Sequence, residues 1–297
     1  HIFGLVMEFI NMKQISLNKD FIFSCTADIN YIDYIYSLAG SINANCSSIP
    51  LHIRLVDIDE KCKRDIKNQI KKRYKNIIVE FDNKNLSTKK EFFRSKNQFV
   101  YGESVNDVIK IKTDSVTFKN VDNNFFLMSE RQCYTSNTRF RNILKLLKEG
   151  YQYVMYIDAD TIIRKNLLTI KEELYNFDIL CNVNTAERYL NKKCWELSFL
   201  GLKNSKNMFK FIEYCSSIAE NDMYDWDADQ NAIEEAYSSK YKDILTVNSK
   251  IKHIEDIGQL HEHDYLDESC IWAGSGFNKL KIKSKFIDEL NRYYGKN

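Results

Sequence analysis

Short apolar runs alternate with helix-period segments across the first eighty residues. The runs at 21–25, 51–56 and 77–79 have the length and composition of buried strands. Between them, residues 32–42 and 66–74 place apolar side chains on one face of a helix. A strand–helix–strand–helix–strand order is typical of a parallel sheet covered by helices. The pattern therefore predicts an α/β fold with a Rossmann-like, mostly parallel central sheet flanked by helices.

The rest of the chain continues this pattern less regularly. Residues 83–130 are polar with short alternating pieces, and we expect an irregular or hairpin insertion there. Ser136 is expected to cap a helix that Gly150 ends, followed by a strongly apolar strand at 151–157. Further strands are expected at 179–183, 244–247 and 270–273, and further helices at 206–218, 229–238 and 284–294.

No linker or internal repeat interrupts the chain, so we expect one domain over residues 12–297. Residues 1–11 begin with His and not Met, and we expect an expression remnant or a disordered tail there. The 43 basic and 41 acidic residues give no polybasic field, which argues against nucleic acid as a partner. No apolar run approaches the ~20 residues that span a bilayer, so no membrane span is expected. Eight cysteines without a Cys-x-x-Cys pair suggest free thiols in a reducing compartment, and hence a cytoplasmic location.

Four Asp-x-Asp pairs occur, and their context distinguishes them. They are Asp57/Asp59, Asp158/Asp160, Asp225/Asp227 and Asp227/Asp229. The pair at 158/160 follows the most apolar strand, and open α/β sheets bind ligands at the carboxyl ends of their strands. Carboxylate oxygens there suit Mn²⁺ or Mg²⁺ bridging a diphosphate. Capping of the following turn is the alternative, and it is the favoured interpretation for Asp57 and Asp59, because a helix follows them at once.

A second enzyme class places the same motif after an apolar strand. Haloacid-dehalogenase-like phosphatases need Thr or Val two positions beyond the second Asp, near the start of the domain. Here Thr161 follows Asp160 directly, Ile162 occupies the required position, and the pair falls in mid-chain. The sequence therefore disfavours a phosphatase.

Four segments together resemble glycosyltransferase family 8 and its relatives with the GT-A fold. In the family's order, they are 25–31 (Cys-Thr-Ala-Asp-Ile-Asn-Tyr), 138–140 (Thr-Arg-Phe), 156–161 (Tyr-Ile-Asp-Ala-Asp-Thr) and 229–231 (Asp-Gln-Asn). They cover about residues 21–280. The resemblance implies a single GT-A-type domain. It also implies a metal-dependent, retaining transfer of a sugar from a UDP-sugar to a hydroxyl acceptor, such as a glycan in glycan biosynthesis.

The resemblance also assigns roles to individual residues. It implies donor contacts from Ala27, Asp28, Asn30, Tyr31, Arg139, Ala159, Gly274, Ser275, Gly276 and Lys279, metal ligation by Asp158 and Asp160, and catalytic positioning by Asp229 and Gln230. Simpler roles stay open for several of these. Asn30 could cap the helix after the first strand, Arg139 could form a surface ion pair, and Asp229 could favour a helix N-terminus.

The last segment departs from the family pattern. The family ends in His-x-x-Gly-x-x-Lys-Pro-Trp, in which the His binds the metal and the Lys meets the diphosphate. Residues 271–279 read Ile-Trp-Ala-Gly-Ser-Gly-Phe-Asn-Lys, so Ala273 takes the His position if Gly276 and Lys279 take theirs. His261 or His263 could substitute. The missing His supports an alternative function, a catalytically silent protein that binds a sugar nucleotide or a glycan.

Overall fold

The computed structural model describes residues 19–88, 90–94, 110–112, 115–117, 125–167, 175–184, 194–224, 228–238, 251–253, 267, 269–274 and 283–295. The strands are β1 (Phe21–Ala27), β2 (Leu51–Val56), β3 (Ile77–Asp82), β4 (Lys90–Arg94), β5 (Lys110–Lys112), β6 (Ser115–Thr117), β7 (Phe125–Ser129), β8 (Tyr153–Ile157), β9 (Thr161–Ile163), β10 (Ile179–Asn184), β11 (Cys194–Lys203), β12 (Ile251–His253) and β13 (Ile271–Ala273). The helices are α1 (Ile32–Asn45), α2 (Glu60–Arg73), α3 (Glu130–Asn137), α4 (Arg139–Lys148), α5 (Lys206–Asn221), α6 (Ala228–Ser238) and α7 (Lys283–Tyr294).

Seven strands form the central sheet in the order β12-β10-β11-β8-β1-β2-β3. β1 pairs in parallel with β2 and β8, β2 with β3, and β10 with β12. β11 runs antiparallel to both β8 and β10. Six strands therefore point the same way, which confirms the predicted mostly parallel sheet.

Helices cover both faces of this sheet, which explains why β1 is mostly apolar. Phe23 and Cys25 point into a core shared with α1 and α2, while Ile22 points into a second core shared with α4, α5 and α6. All three side chains are fully buried. A strand that is buried on both faces is rich in apolar residues at successive positions, as the Phe-Ile-Phe start of β1 is.

The segment before β8 differs from the prediction at its start. Ser129 caps α3, since its hydroxyl accepts from the Gln132 N–H while the Gln132 side chain accepts from the Ser129 N–H. Ser136 lies inside α3, so its predicted capping role is wrong. The prediction for Gly150 is confirmed. Gly150 has a φ of 94°. Its N–H donates to the Leu147 carbonyl, and the Tyr151 N–H donates to the Leu146 carbonyl, which ends the helix.

Three two-stranded pairs lie outside the central sheet. β4 pairs antiparallel with β7, and β5 with β6, so the predicted hairpin character of 83–130 is confirmed where residues are described. β9 pairs antiparallel with β13. The predicted strand at 244–247 lies outside the described residues. Within the described ranges, no helix is both long and apolar enough to cross a bilayer.

Candidate functional site

The order of strands in the sheet reverses direction at β1. From β1 the chain moves to β2 and β3 on one side, and later returns to β8 on the other side of β1. β1 and β8 run in parallel register, with Ser24 opposite Tyr156, so Asp28 and Asp158 follow their strands at the same edge of the sheet. Open α/β sheets bind their ligands at such a switch in strand order, outside the carboxyl ends of the strands.

Asp158, Ala159 and Asp160 form the turn that leaves β8. The backbone holds this turn, since the Thr161 N–H donates to the Asp158 carbonyl at 3.2 Å and the Gly274 N–H to the Asp160 carbonyl at 2.9 Å. The Asp158 side chain is 36% exposed, whereas Asp160 and Ala159 are buried. Two carboxylates fit a hard divalent ion. Across the described ranges, no group of three or more His, Cys, Asp or Glu side chains is arranged to hold a metal ion.

Arg139, the first residue of α4, connects this turn to a second carboxylate. Its Nε lies 2.6 Å from Asp229 Oδ2, and its Nη1 lies 3.8 Å from Asp158 Oδ1. Nη1 also donates to the Leu197 carbonyl, and the guanidinium lies 5.2 Å from the centre of the Tyr156 ring. The Arg139 side chain is only 8% exposed, so it is a buried connector and not a surface ion pair.

Asp229 stands in the first turn of α6 and is held from several directions. The Ser136 hydroxyl donates to its Oδ2 at 3.4 Å, and the Gln230 N–H donates to its Oδ1 at 2.8 Å. The Asp229 N–H donates to the Asn137 side-chain oxygen at 3.2 Å. Ser136 and Asn137 were not among the sequence candidates. The Ser-Asn pair directly before Thr138-Arg139 is the only local signal for them.

Asp28 and Asn30 form the turn after β1. Asp28 is buried, and its carboxylate accepts from the Asn30 backbone N–H at 2.8 Å and from the Asn30 side-chain amide at 3.4 Å. Asp28 is therefore the cap of the short 3₁₀ helix at 29–31, and the proposed capping role of Asn30 is wrong. Tyr31 follows, and its ring lies 5.7 Å from that of Tyr34. Ala27 is buried at the end of β1.

A cleft of about 450 Å³ opens beside this turn. It is lined by Asn30, Tyr31, Tyr34, Thr88, Ser129, Arg131 and Gln132. Arg131 is fixed there, since its Nη2 lies 2.8 Å from Asp57 Oδ2 and its backbone N–H donates to the Ser87 carbonyl. Apart from Asn30 and Tyr31, none of these lining residues was predicted from the sequence. The spacing of Ser129 and Gln132 is that of a capping box and could have located this wall.

The family's third metal ligand has no counterpart at Ala273. Ala273 pairs with Thr161 between β13 and β9, and its side chain is buried in the same core as Ile271. It therefore faces the protein interior. Ser275, Gly276, Lys279, His261 and His263 lie outside the described residues, so only Gly274 of the candidate loop is located, against the backbone of Asp160.

Two buried titratable groups, Cys25 and Tyr156, lie near the Asp158 turn without being reactive. Burial, with a smaller contribution from the Asp158 charge, raises the pKa of the Cys25 thiol far above its usual value. Burial likewise raises the pKa of Tyr156, and the nearby Arg139 charge only partly opposes this. Both groups therefore stay protonated at neutral pH, and neither is available as a thiolate or phenolate nucleophile.

Comparison with known proteins defines the fold. No protein-family model matches the chain, and no curated protein matches it. The chain is similar to the solved apo structure of the bifunctional glycosyltransferase WbbM, with a TM-score of 0.51 and 12% identity over 93% of this chain and 49% of that one. It is similar to the galactosyltransferase LgtC in complex with donor and acceptor sugar analogs, with a TM-score of 0.47 and 14% identity over 92% and 95% of the two chains. It is also similar to the glycosyltransferase GlyE of Streptococcus pneumoniae TIGR4, with a TM-score of 0.45 and 12% identity over 93% and 63%.

The likeness to WbbM shows that the chain has a GT-A glycosyltransferase fold. The chain spans 63% of the length of GlyE and about half the length of WbbM. Membership of family 8 stays a prediction.

Proposed function

We propose that this chain is a glycosyltransferase that moves a sugar from a UDP-sugar to a hydroxyl acceptor, such as a glycan. One observation carries the proposal. The Asp158-Ala159-Asp160 turn lies at the switch in strand order, and Arg139 joins it to Asp229. The GT-A fold supports the same conclusion, because function in this fold depends on groups gathered at that edge of the sheet.

Asp158 and Asp160 would hold a divalent ion, Mn²⁺ or Mg²⁺, together with two oxygens of the donor diphosphate. Bound there, the ion supplies positive charge that stabilises the departing UDP. Because half of the non-water ligands would come from the nucleotide, we propose that the ion binds weakly in its absence. Water would fill the position that the family gives to His.

The protein's own residues would position the donor and the acceptor. Arg139 is fixed by Asp229 and the Leu197 carbonyl, so its charge would face a donor at Asp158 without reorganising. Ala27, Asn30 and Tyr31 would hold the uridine, with Asp28 acting through Asn30. Gly274 continues from the Asp160 backbone toward Ser275, Gly276 and Lys279. These would meet the diphosphate.

Asp229 and Gln230 would position the reacting groups. Both oxygens of Asp229 already accept hydrogen bonds, and Arg139 neutralises its charge. A carboxylate held in this way is a poor covalent nucleophile. We therefore propose attack by the acceptor hydroxyl on the face of the sugar that UDP leaves, with retention of configuration. The partly exposed Gln230 would contact the reacting centre.

A silent sugar-nucleotide- or glycan-binding protein is the second candidate. Ala273 favours it, because this residue faces the core at the position where the family has a metal ligand. Such a protein would bind UDP but would not turn over a UDP-sugar.

Thermal-shift measurements with UDP, with and without Mn²⁺, test the proposed donor site. We expect UDP to stabilise the wild type only when Mn²⁺ is present, and Asp160→Asn to remove that stabilisation. Asp59→Asn is a matched control, since Asp59 belongs to an Asp-x-Asp pair but caps α2, a role that Asn also fills. A normal shift in Asp160→Asn would contradict the assignment.

A further inference from the structure

The cleft beside β1 has one wall built around Gln132. The carbonyl oxygen of the Gln132 side chain accepts from the Ser129 N–H at 3.0 Å and from the Ser129 hydroxyl at 3.2 Å. This capping box fixes the orientation of the amide. The NH₂ group is therefore the part of Gln132 that a ligand can meet, and it can only donate hydrogen bonds.

Arg131 adds positive charge to the same wall. Asp57 holds its Nη2 at 2.8 Å, and the Arg131 side chain is 16% exposed. A guanidinium carries only donors, so its charge favours a ligand oxygen over a ligand NH₂ group beside it.

The residues that follow β1 give the same cleft aromatic surface and an acceptor. Tyr31 and Tyr34 present two neighbouring rings, with their planes at 42° to each other. The side-chain NH₂ of Asn30 faces Asp28, which directs its carbonyl oxygen away from Asp28. A planar base in this cleft would meet stacking surface from the rings, and the Gln132 donor and the Asn30 acceptor at its edge.

We propose that Gln132 selects the donor's base by donating to a carbonyl oxygen at its edge, aided by the positive charge of Arg131, so the cleft takes uracil and rejects cytosine. Uracil presents two carbonyl oxygens flanking an N–H, whereas cytosine presents an NH₂ in place of one carbonyl. An NH₂ that faced the Gln132 NH₂ would leave two donors opposed and unpaired beside a positive charge. This inference rests on the proposed function, and it makes Gln132 the main determinant of nucleotide specificity.

Gln132→Glu tests the inference with little risk to folding, because Glu fills the same position of a capping box. The variant keeps an oxygen for Ser129 and replaces the NH₂ donor by an acceptor. Titrate UDP and CDP in the presence of Mn²⁺ by calorimetry. We expect the wild type to prefer UDP, and the ratio of UDP to CDP affinity to fall by about tenfold or more in Gln132→Glu, as expected for an unpaired polar group. Gln69→Glu, on the exposed face of α2, is the matched control and should leave the ratio unchanged.

Arg131→Gln supplies a second, independent measurement. It removes the positive charge from the cleft, so the ratio of UDP to CDP affinity should fall, whereas Arg131→Lys keeps a charge beside Asp57 and should keep the ratio. An unchanged UDP/CDP ratio in Gln132→Glu, or a wild type that binds CDP as tightly as UDP, would overturn the inference and leave the glycosyltransferase proposal standing. A wild type that binds no nucleoside diphosphate with Mn²⁺ would overturn both.

Discussion

The Nε atom of Arg139 lies 2.6 Å from Asp229 Oδ2, although the two residues stand in the first turns of different helices far apart in the chain. Both side chains are almost fully buried. This contact fixes α6 against α4 beside the Asp158 turn. The effect of Arg139 and Asp229 substitutions on the free energy of unfolding therefore tests whether the site is assembled as described, without an activity assay.

Removing one partner of this buried pair should destabilise the fold much more than removing both. We expect Arg139→Met to lower the free energy of unfolding by about 3–5 kcal/mol, because it leaves Asp229 as a buried, uncompensated charge. The double variant Arg139→Met/Asp229→Asn should recover part of that loss. Urea unfolding of the wild type, the two single variants and the double variant completes the cycle. Strictly additive effects would show that the two side chains do not interact in solution.

Gln230 is predicted to act in the reaction and not in nucleotide binding. Gln230→Ala should lower turnover by about 10²-fold, a typical loss for one catalytic group, while UDP affinity stays near the wild-type value. Steady-state rates combined with UDP titration separate these effects, and Gln69→Ala controls for the substitution itself. Collapse of UDP binding in Gln230→Ala would place this residue in the nucleotide site.

The missing family His cannot be restored by a single substitution. Ala273 packs in the core beside Ile271, so the imidazole of Ala273→His would be buried without a partner and would crowd its neighbours. We expect lower stability in urea and no gain in Mn²⁺ affinity in the presence of UDP. Tighter Mn²⁺ binding by this variant would mean that β13 presents position 273 to the site.

Acid should weaken the fold through Glu80. Its hydrogen bond from His52, aided by Lys145, lowers the pKa of this carboxyl from its ordinary value of 4.5 to about 2. Between these values the unfolded chain binds the proton more readily, so stability present above pH 4.5 is lost as the pH falls toward 2. Urea midpoints between pH 5 and about 2.5 should therefore fall less steeply in Glu80→Gln than in the wild type. Glu60→Gln, on a side chain that is 83% exposed, should follow the wild-type slope.

Sequence reasoning predicted the fold where one physical constraint dominates. β1, β2 and β8 are buried on both faces, so their apolar runs had one interpretation. β11 was missed because it mixes Glu196 and Gly201 with apolar residues and runs antiparallel to its neighbours. Ser136 was mistaken for the cap of α4. It lies instead within α3, a separate helix that is capped by Ser129 and ends just before α4.

Individual residues of the candidate site could be predicted from the sequence, but the contacts between them could not. Asp158 and Asp160 follow a recognisable strand, whereas the pairing of Arg139 with Asp229 depends on how α4 and α6 pack. Neither local sequence encodes that packing. Arg131 was missed for a related reason. It lies in a polar stretch whose position is set by contacts with Asp57 and Ser87, and both belong to other parts of the chain.

Release of UDP from a panel of UDP-sugars in the presence of Mn²⁺ distinguishes a glycosyltransferase from a silent binding protein. We predict that the wild type releases UDP from at least one donor, that chelating the metal stops the release, and that Asp160→Asn lowers the rate by about 10²-fold or more. Asp59→Asn should release UDP at the wild-type rate. A wild type that binds UDP with Mn²⁺ yet releases none from any donor, with or without glycan acceptors, would rule out a glycosyltransferase and identify a silent binding protein.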